Sequence, residues 1–347
     1  MSAVRLEQAI IQGLSELGEV PDYLKSLISR GVIATVDTQM IIDEDDFHAV
    51  EQGKLLSEDA STPFTPIEES IEQIQGIISA EGLVSGHFHS LVRGFGSLLF
   101  GMIASPAQQA EVAAWHESGL AQFGGFLMAD GGGSSIQQWK TVFAKNGEML
   151  ELEVDKVWII EGHRLDYGSI ASAGSQKLFP TSILVPPQQF GQLQKTKVGE
   201  PFLAGTLQLG NVRGKVSVPK SNMLTQGGLA STSIFLSKIR PRFVRALMAH
   251  TQWLAASGMM MLNPAQRESI EALEVIAKRY YHDLVKRKPS LPMALAIKFA
   301  SNQILLDLVA SGSAQDRCVR RDLLAFTRME GSSYRCLFEI YGKLKVR

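Results

Sequence analysis

The chain has 347 residues, 45% hydrophobic and 20% charged, enough for two or three domains around a substantial core. Its net charge of −1 supplies no global attraction to nucleic acid or anionic lipid. Two cysteines, Cys318 and Cys336, form no CxxC pattern and no disulfide framework, which points to a reducing, cytoplasmic setting.

Residues 1–60 read as short helices broken at Gly13, Gly18, Pro21 and Gly31, and they include the acidic run 43–46. The N-terminus has no uninterrupted apolar core, so a signal peptide is not expected. No run of about 18 uncharged apolar residues predicts a membrane span. Residues 61–66, with two prolines, predict a loop. Ile67, Ile71, Ile74, Ile77 and Ile78 then fall on one helical face. Residues 86–103 are apolar and rich in glycine, the mark of a closely packed buried helix. Residues 106–120 predict another helix, ended by Gly124 and Gly125.

From 125 to about 228 the chain gains glycine, proline and β-branched residues. Leu150 to Val154 alternate at the strand period, and 157–160, 182–185 and 216–218 are further strands bounded by Pro180, Pro186, Pro187 and Pro219. After Ala230 the helical period returns. Ala272, Val275 and Ile276 share one face, and Met293, Ile297 and Ala300 another. The stretch after Lys238 is rich in Lys and Arg, a solvated face or a surface for phosphates. Helical, β and helical segments in that order make an α+β chain. Met259 to Met261 read as core or interface packing.

Local patterns add chemistry to this order. Phe126-Leu127-Met128-Ala129-Asp130-Gly131-Gly132-Gly133-Ser134-Ser135 is a strand leading into a glycine turn. Lys156-Val157-Trp158-Ile159 is a strand with an aromatic residue. Val216-Ser217-Val218-Pro219-Lys220-Ser221-Asn222-Met223-Leu224 closes the β part. Arg240-Pro241, Lys298-Phe299-Ala300-Ser301 and Glu330-Gly331-Ser332 follow, the last nine residues after Arg321-Asp322. In this order and spacing the set resembles the acyl-CoA dehydrogenase family.

The resemblance implies a helical N-terminal domain at 1–122, a central β-barrel at 123–228 and a C-terminal four-helix bundle at 229–347. It implies one FAD, with Trp158 on the isoalloxazine ring and Ile160 beside it. Leu127 and Met128 would lend main-chain groups to the ring's polar edge, Gly133 and Ser134 would lie near the phosphate or ribityl chain, and Ser332 would lie at the cofactor. Glu330 would remove the α-proton of an acyl-CoA or carrier-bound acyl thioester, with His89 and Arg240 at the substrate. A homodimer or homotetramer follows from the same resemblance; the electron acceptor is not specified by it.

The departures fall on cofactor contacts. Met128-Ala129 stand where the family has Thr-Glu, Ile160 where it has Ser or Thr, and Ala310-Ser311-Gly312-Ser313 where it has a longer glycine loop. No Arg-x-x-Phe-Gly motif lies between Met261 and Glu274. Two alternatives therefore stand beside the dehydrogenase: another flavin chemistry, oxidation or hydroxylation, on the same fold, and a binding or structural partner without FAD. His87 and His89, two apart on a helix, do not face one side, so no metal site is expected.

Overall fold

The computed structural model describes residues 2–39, 55, 64–133, 135–177, 179–203, 206–226, 230–283 and 289–345. The acidic run 43–46, the loop residues 61–63, the boundary at 228 and Ser134 lie outside them. The described helices are α1 (Ser2–Ser15), α2 (Asp22–Gln39), α3 (Pro66–Glu81), α4 (Ser85–Ile103), α5 (Pro106–Glu117), α6 (Pro187–Phe190), α7 (Ala230–Ala256), α8 (Pro264–Asp283), α9 (Leu291–Ala310), α10 (Arg317–Phe326) and α11 (Ser333–Lys345). The strands are β1 (Gly124–Leu127), β2 (Val142–Asn146), β3 (Met149–Ile160), β4 (Tyr167–Ala173), β5 (Pro180–Val185), β6 (Gln194–Phe202), β7 (Leu207–Pro219) and β8 (Met223–Leu224). They fall into two compact units, one of residues 1–87 and 232–347, the other of 88–231.

In the first unit, α9 is buried nearly throughout, from Met293 to Leu305. It is long and apolar enough to cross a bilayer, but most of it is buried against its own unit. Gly13 and Gly31 do not break helices, contrary to expectation: both lie inside α1 and α2. A Cβ on Gly13 would stand 2.9 Å from Met293 Cε, and one on Gly31 would stand 2.2 Å from Gln303 Oε1. Glycine there lets helices approach α9, a contact that outweighs its poor helix propensity.

Two helix faces also differ from expectation. On α3 the buried stripe is Glu68, Ile71, Gln75 and Ile78, while Ile77 points outward. Glu68 is buried because it pairs with Lys238 at 3.1 Å and Arg242 at 3.1 Å, and Gln75 donates to the Arg242 carbonyl. On α8 the stripe is Leu273, Ile276, Ala277 and Tyr280, and Val275 is exposed. α3 begins with a capping box, Thr65 with Glu68, behind Pro66.

In the second unit the strands form one sheet in the order β6-β7-β3-β2-β4-β5-β8, with β1 pairing β4 in parallel. β2 joins β4 at the single pair Val142 and Ala173. Side chains from both halves of the sheet pack on one apolar core, among them Leu150, Leu152 and Val154 of β3, Ile170 of β4, Ile183 and Val185 of β5, and Val212, Val216 and Val218 of β7. The alternation in β3 thus selects the inward face. Asn222, after β7, donates to the Leu184 carbonyl at 2.9 Å, and Gln108 of α5 donates to the Ser221 carbonyl at 2.6 Å. These bonds fix the chain where it leaves the sheet.

Candidate active site

In the first unit the expected base stands on a strained turn. α10 starts at the Asp316 cap, whose carboxylate accepts from Cys318 and Val319, and stops at Phe326. Glu330 and Gly331 then take left-handed backbone, φ 57° and 124°, to turn the chain into α11. A non-glycine residue in that conformation costs about 1–2 kcal/mol and persists only where its surroundings impose it. Three buried side chains do so. Arg240 Nε donates to the Glu330 carbonyl at 2.8 Å, Asn302 Nδ2 to the Gly331 carbonyl at 3.0 Å, and Lys298 Nζ to the Phe326 carbonyl at 3.0 Å. Lys298 also donates to Asn302 Oδ1 at 2.5 Å.

The structure therefore brings Arg240, well inside α7, onto Glu330. Arg240 also lies 3.7 Å from Glu339. Ser332 sits at the same turn, its hydroxyl accepting from the Arg335 amide at 3.4 Å as α11 begins. Glu330 is partly exposed, and burial of its carboxyl raises its pKa above the ordinary value against the opposing cations of Arg240 and Lys298. A raised carboxyl of this kind suits general-base work near neutral pH. Lys298, with no exposed surface, is pushed down to about 8 by burial.

In the second unit β1 leads into the glycine turn beside a bulge in β3. Pairing of β3 with β7 shifts between Lys156 and Ile159, and the bulge turns Trp158 outward, 59% exposed, with φ 59°. The pairing resumes at Ile159 opposite Gly210, and Ile160 follows opposite Leu209. Lys156 Nζ donates to the Met128 carbonyl at 3.1 Å, and the Val157 amide donates to the Ala129 carbonyl, so the end of β1 and the bulge are tied together. Leu127 is fully buried in the core. His89 of α4 is half-buried, 6.5 Å from the Phe123 ring. Burial lowers its pKa, and Arg93 and Arg164 lower it further against Glu161. His87 instead belongs to the first unit, where it bonds the Gly82 carbonyl.

The glycine turn is organised by Asp130. Its carboxylate accepts from the amides of Gly132, Lys140 and Thr141 and lies 3.3 Å from Lys156 Nζ, both side chains fully buried. Burial alone would raise the Asp130 pKa; these donors and the Lys156 charge hold it below the ordinary value. Lys156 is pushed down to about 8 by burial despite Asp130.

A flavin has a ring, a polar edge and a phosphate tail, and the second unit meets these unequally. The exposed Trp158 ring is a flat apolar surface for the isoalloxazine. Among the described residues β1 pairs only with β4, and just beyond it the Met128 and Ala129 carbonyls are already taken by Lys156 Nζ and the Val157 amide. The amides of Gly131, Gly132 and Gly133 all donate within the chain, to the Asp155 carbonyl, the Asp130 carboxylate and the Asp130 carbonyl. Gly133 thus offers a phosphate or ribityl chain close approach, with nothing nearer its Cβ position than 3.9 Å, but not its amide. The residues present fit the ring of a flavin.

Sequence reasoning named Lys298 only within a motif and missed its bond to the turn, Asn302, and the pairing of Asp130 with Lys156. A lysine inside the apolar stretch 291–310 is the signal that marks the first. A cavity of about 770 Å³ at the turn from α1 to α2, lined by Glu16, Tyr23, Lys25, Glu268 and Arg279, contains none of the expected residues.

No protein-family model matches the chain, and no curated protein matches it in sequence. Solved structures do. A glutaryl-CoA dehydrogenase from Mycobacterium smegmatis in complex with FADH2 is 14% identical, with 99% of this chain and 94% of that one covered at a TM-score of 0.60. The prolyl acyl carrier protein oxidase AnaB is 14% identical over 99% and 98%, at a TM-score of 0.61. Butyryl-CoA dehydrogenase from Megasphaera elsdenii is 13% identical over 99% and 98%, at 0.59. The chain has the acyl-CoA dehydrogenase fold, in a strongly divergent sequence.

Proposed function

We propose that the chain is an FAD-dependent dehydrogenase of acyl thioesters, carried on CoA or on an acyl carrier protein. The observation that supports this best is Glu330, a carboxylate with raised pKa on a turn clamped by Arg240, Lys298 and Asn302. Glu330 takes the α-proton onto its carboxylate oxygen, and the cations beside it stabilise the deprotonated form that begins the cycle. When bound, the flavin supplies the acceptor for the β-hydride. Trp158 covers one ring face and keeps water from it, β1 at Leu127 and Met128 holds the polar edge, and Gly133 and Ser134 approach the tail. Ile160 and Ser332 lie at the cofactor, and His89 and Arg240 at the acyl group. The chain divides as 1–122, 123–228 and 229–347 and assembles as a homodimer or homotetramer in the cytoplasm.

Glu330→Gln keeps shape and removes the base. It is expected to leave flavin bound and to slow flavin reduction by an acyl thioester at least about 10²-fold. An unchanged rate puts the base elsewhere. The consumed glycine amides favour a second reading, the same fold serving as a binding partner without FAD. Purified protein that stays colourless after incubation with excess FAD selects that second reading.

A further inference from the structure

We propose that Lys298 and Asn302 of α9 are positioning residues for Glu330, holding the turn that carries it by its two ends. Lys298 Nζ grips the Phe326 carbonyl where α10 stops, and Asn302 Nδ2 grips the Gly331 carbonyl just after Glu330. The two side chains are one turn apart on α9 and bonded to each other, so they act as a unit. Both are fully buried in a helix whose buried residues are mostly apolar. A buried lysine there is costly unless its donors are used, and both identified partners lie in this cluster.

The clamp answers a definite need. Two successive left-handed residues, Glu330 and Gly331, do not stay in place through local preference. Arg240 supplies the third grip, on the Glu330 carbonyl itself. The clamp also sets a charge. The groups around the carboxyl are Arg240 from α7, Lys298 from α9 and Cys336 from α11, with Arg335 and Glu339 beyond it. Cys336 is held neutral, its thiol pushed up to about 11 by burial, so Arg240 and Lys298 are the cations that favour ionised Glu330. The inference rests on reading Glu330 as the base, and a test that does not depend on activity separates the two.

Lys298→Met and Asn302→Leu keep volume and remove the donors. In the full chain, amide hydrogen exchange at 327–336 is expected to rise at least about tenfold in each folded variant, with α3 and α8 unchanged. Loss of the Lys298 charge is expected to move the acid limb of the pH profile for flavin reduction upward in Lys298→Met, whereas Asn302→Leu leaves the limb in place. A purely structural role would not move that limb. If Lys298→Met does not fold, the exchange of Asn302→Leu decides. Unchanged exchange at 327–336 overturns the positioning role, and an unmoved limb in an active Lys298→Met overturns the electrostatic one. If the parent reduces no flavin with any thioester, the base assignment fails while the exchange result still decides whether Lys298 and Asn302 hold the turn.

Discussion

Trp158 is a large aromatic side chain left mostly in solvent on a backbone conformation that disfavours it. Folding has no use for such a residue, and strain retained at an exposed side chain points to a ligand. Trp158→Gly relieves the left-handed backbone and removes little packing. It is expected not to lower the melting temperature, while FAD affinity in a fluorescence titration falls at least about tenfold, as for losing a stacked ring. Unweakened FAD binding would remove Trp158 from the ring. Asp130 is the opposite kind of residue, needed by the fold. Asp130→Ala leaves the Lys156 charge buried without its partner and the amides of Gly132, Lys140 and Thr141 without an acceptor. Breaking a buried pair in this way costs about 3–5 kcal/mol, measurable by urea unfolding. Adding Lys156→Met is expected to recover part of it.

At the scale of elements, α7 ties the first unit together. Lys238 and Arg242 reach Glu68 of α3, Arg245 reaches Glu72, and Arg240 reaches the turn before α11. Pro241 lies inside α7 without ending it. Further along the same helix His250 is buried, its Nδ1 accepts from the Leu83 amide, and its ring stacks on Trp253. It must therefore be neutral, and burial pushes its pKa down to about 4. The unfolded chain binds a proton at about 6.5, so it holds more protons than the folded one between these values. Stability is present above pH 6.5 and is lost as pH falls toward 4. Between pH 7.5 and 4.5 the parent is expected to lose about 2–3 kcal/mol more than His250→Asn, which keeps an acceptor and does not titrate. Equal pH dependence of the two in urea unfolding would exclude His250 as the source.

At the scale of the molecule, the first unit leaves apolar side chains uncovered on three successive helices: Leu306 of α9, Leu324 of α10, and Tyr334 and Phe338 of α11, the last two stacked at 5.9 Å. The homodimer or homotetramer proposed above would cover such residues. Sedimentation at micromolar concentration is expected to give at least twice the 37.9 kDa chain mass. A stable monomer would set aside the assembly, and Phe338→Glu is the variant expected to produce one.

The order of helical, sheet and helical segments was legible because hydrophobic period is a local property: 3.6 and 2 are set by backbone geometry, and neighbours in sequence carry them. The strand from Leu150 to Val154 was visible for that reason, whereas the exit through Asn222 and Glu330-Gly331-Ser332 at its spacing from Arg321 were visible only through the resemblance to a family. What the fold alone decided concerns glycines and buried charges. Gly13 and Gly31 look like breaks until α9 lies against them, and Glu68 and Gln75 look like solvent residues until α7 supplies their partners. The glycine turn looks like an anion cradle until Asp130 takes its amides. Glu68 and Arg242 lie more than 170 positions apart, Lys298 and Phe326 28 apart. Whether a charge can be buried depends on donors and acceptors brought from such distances, and no local pattern records them.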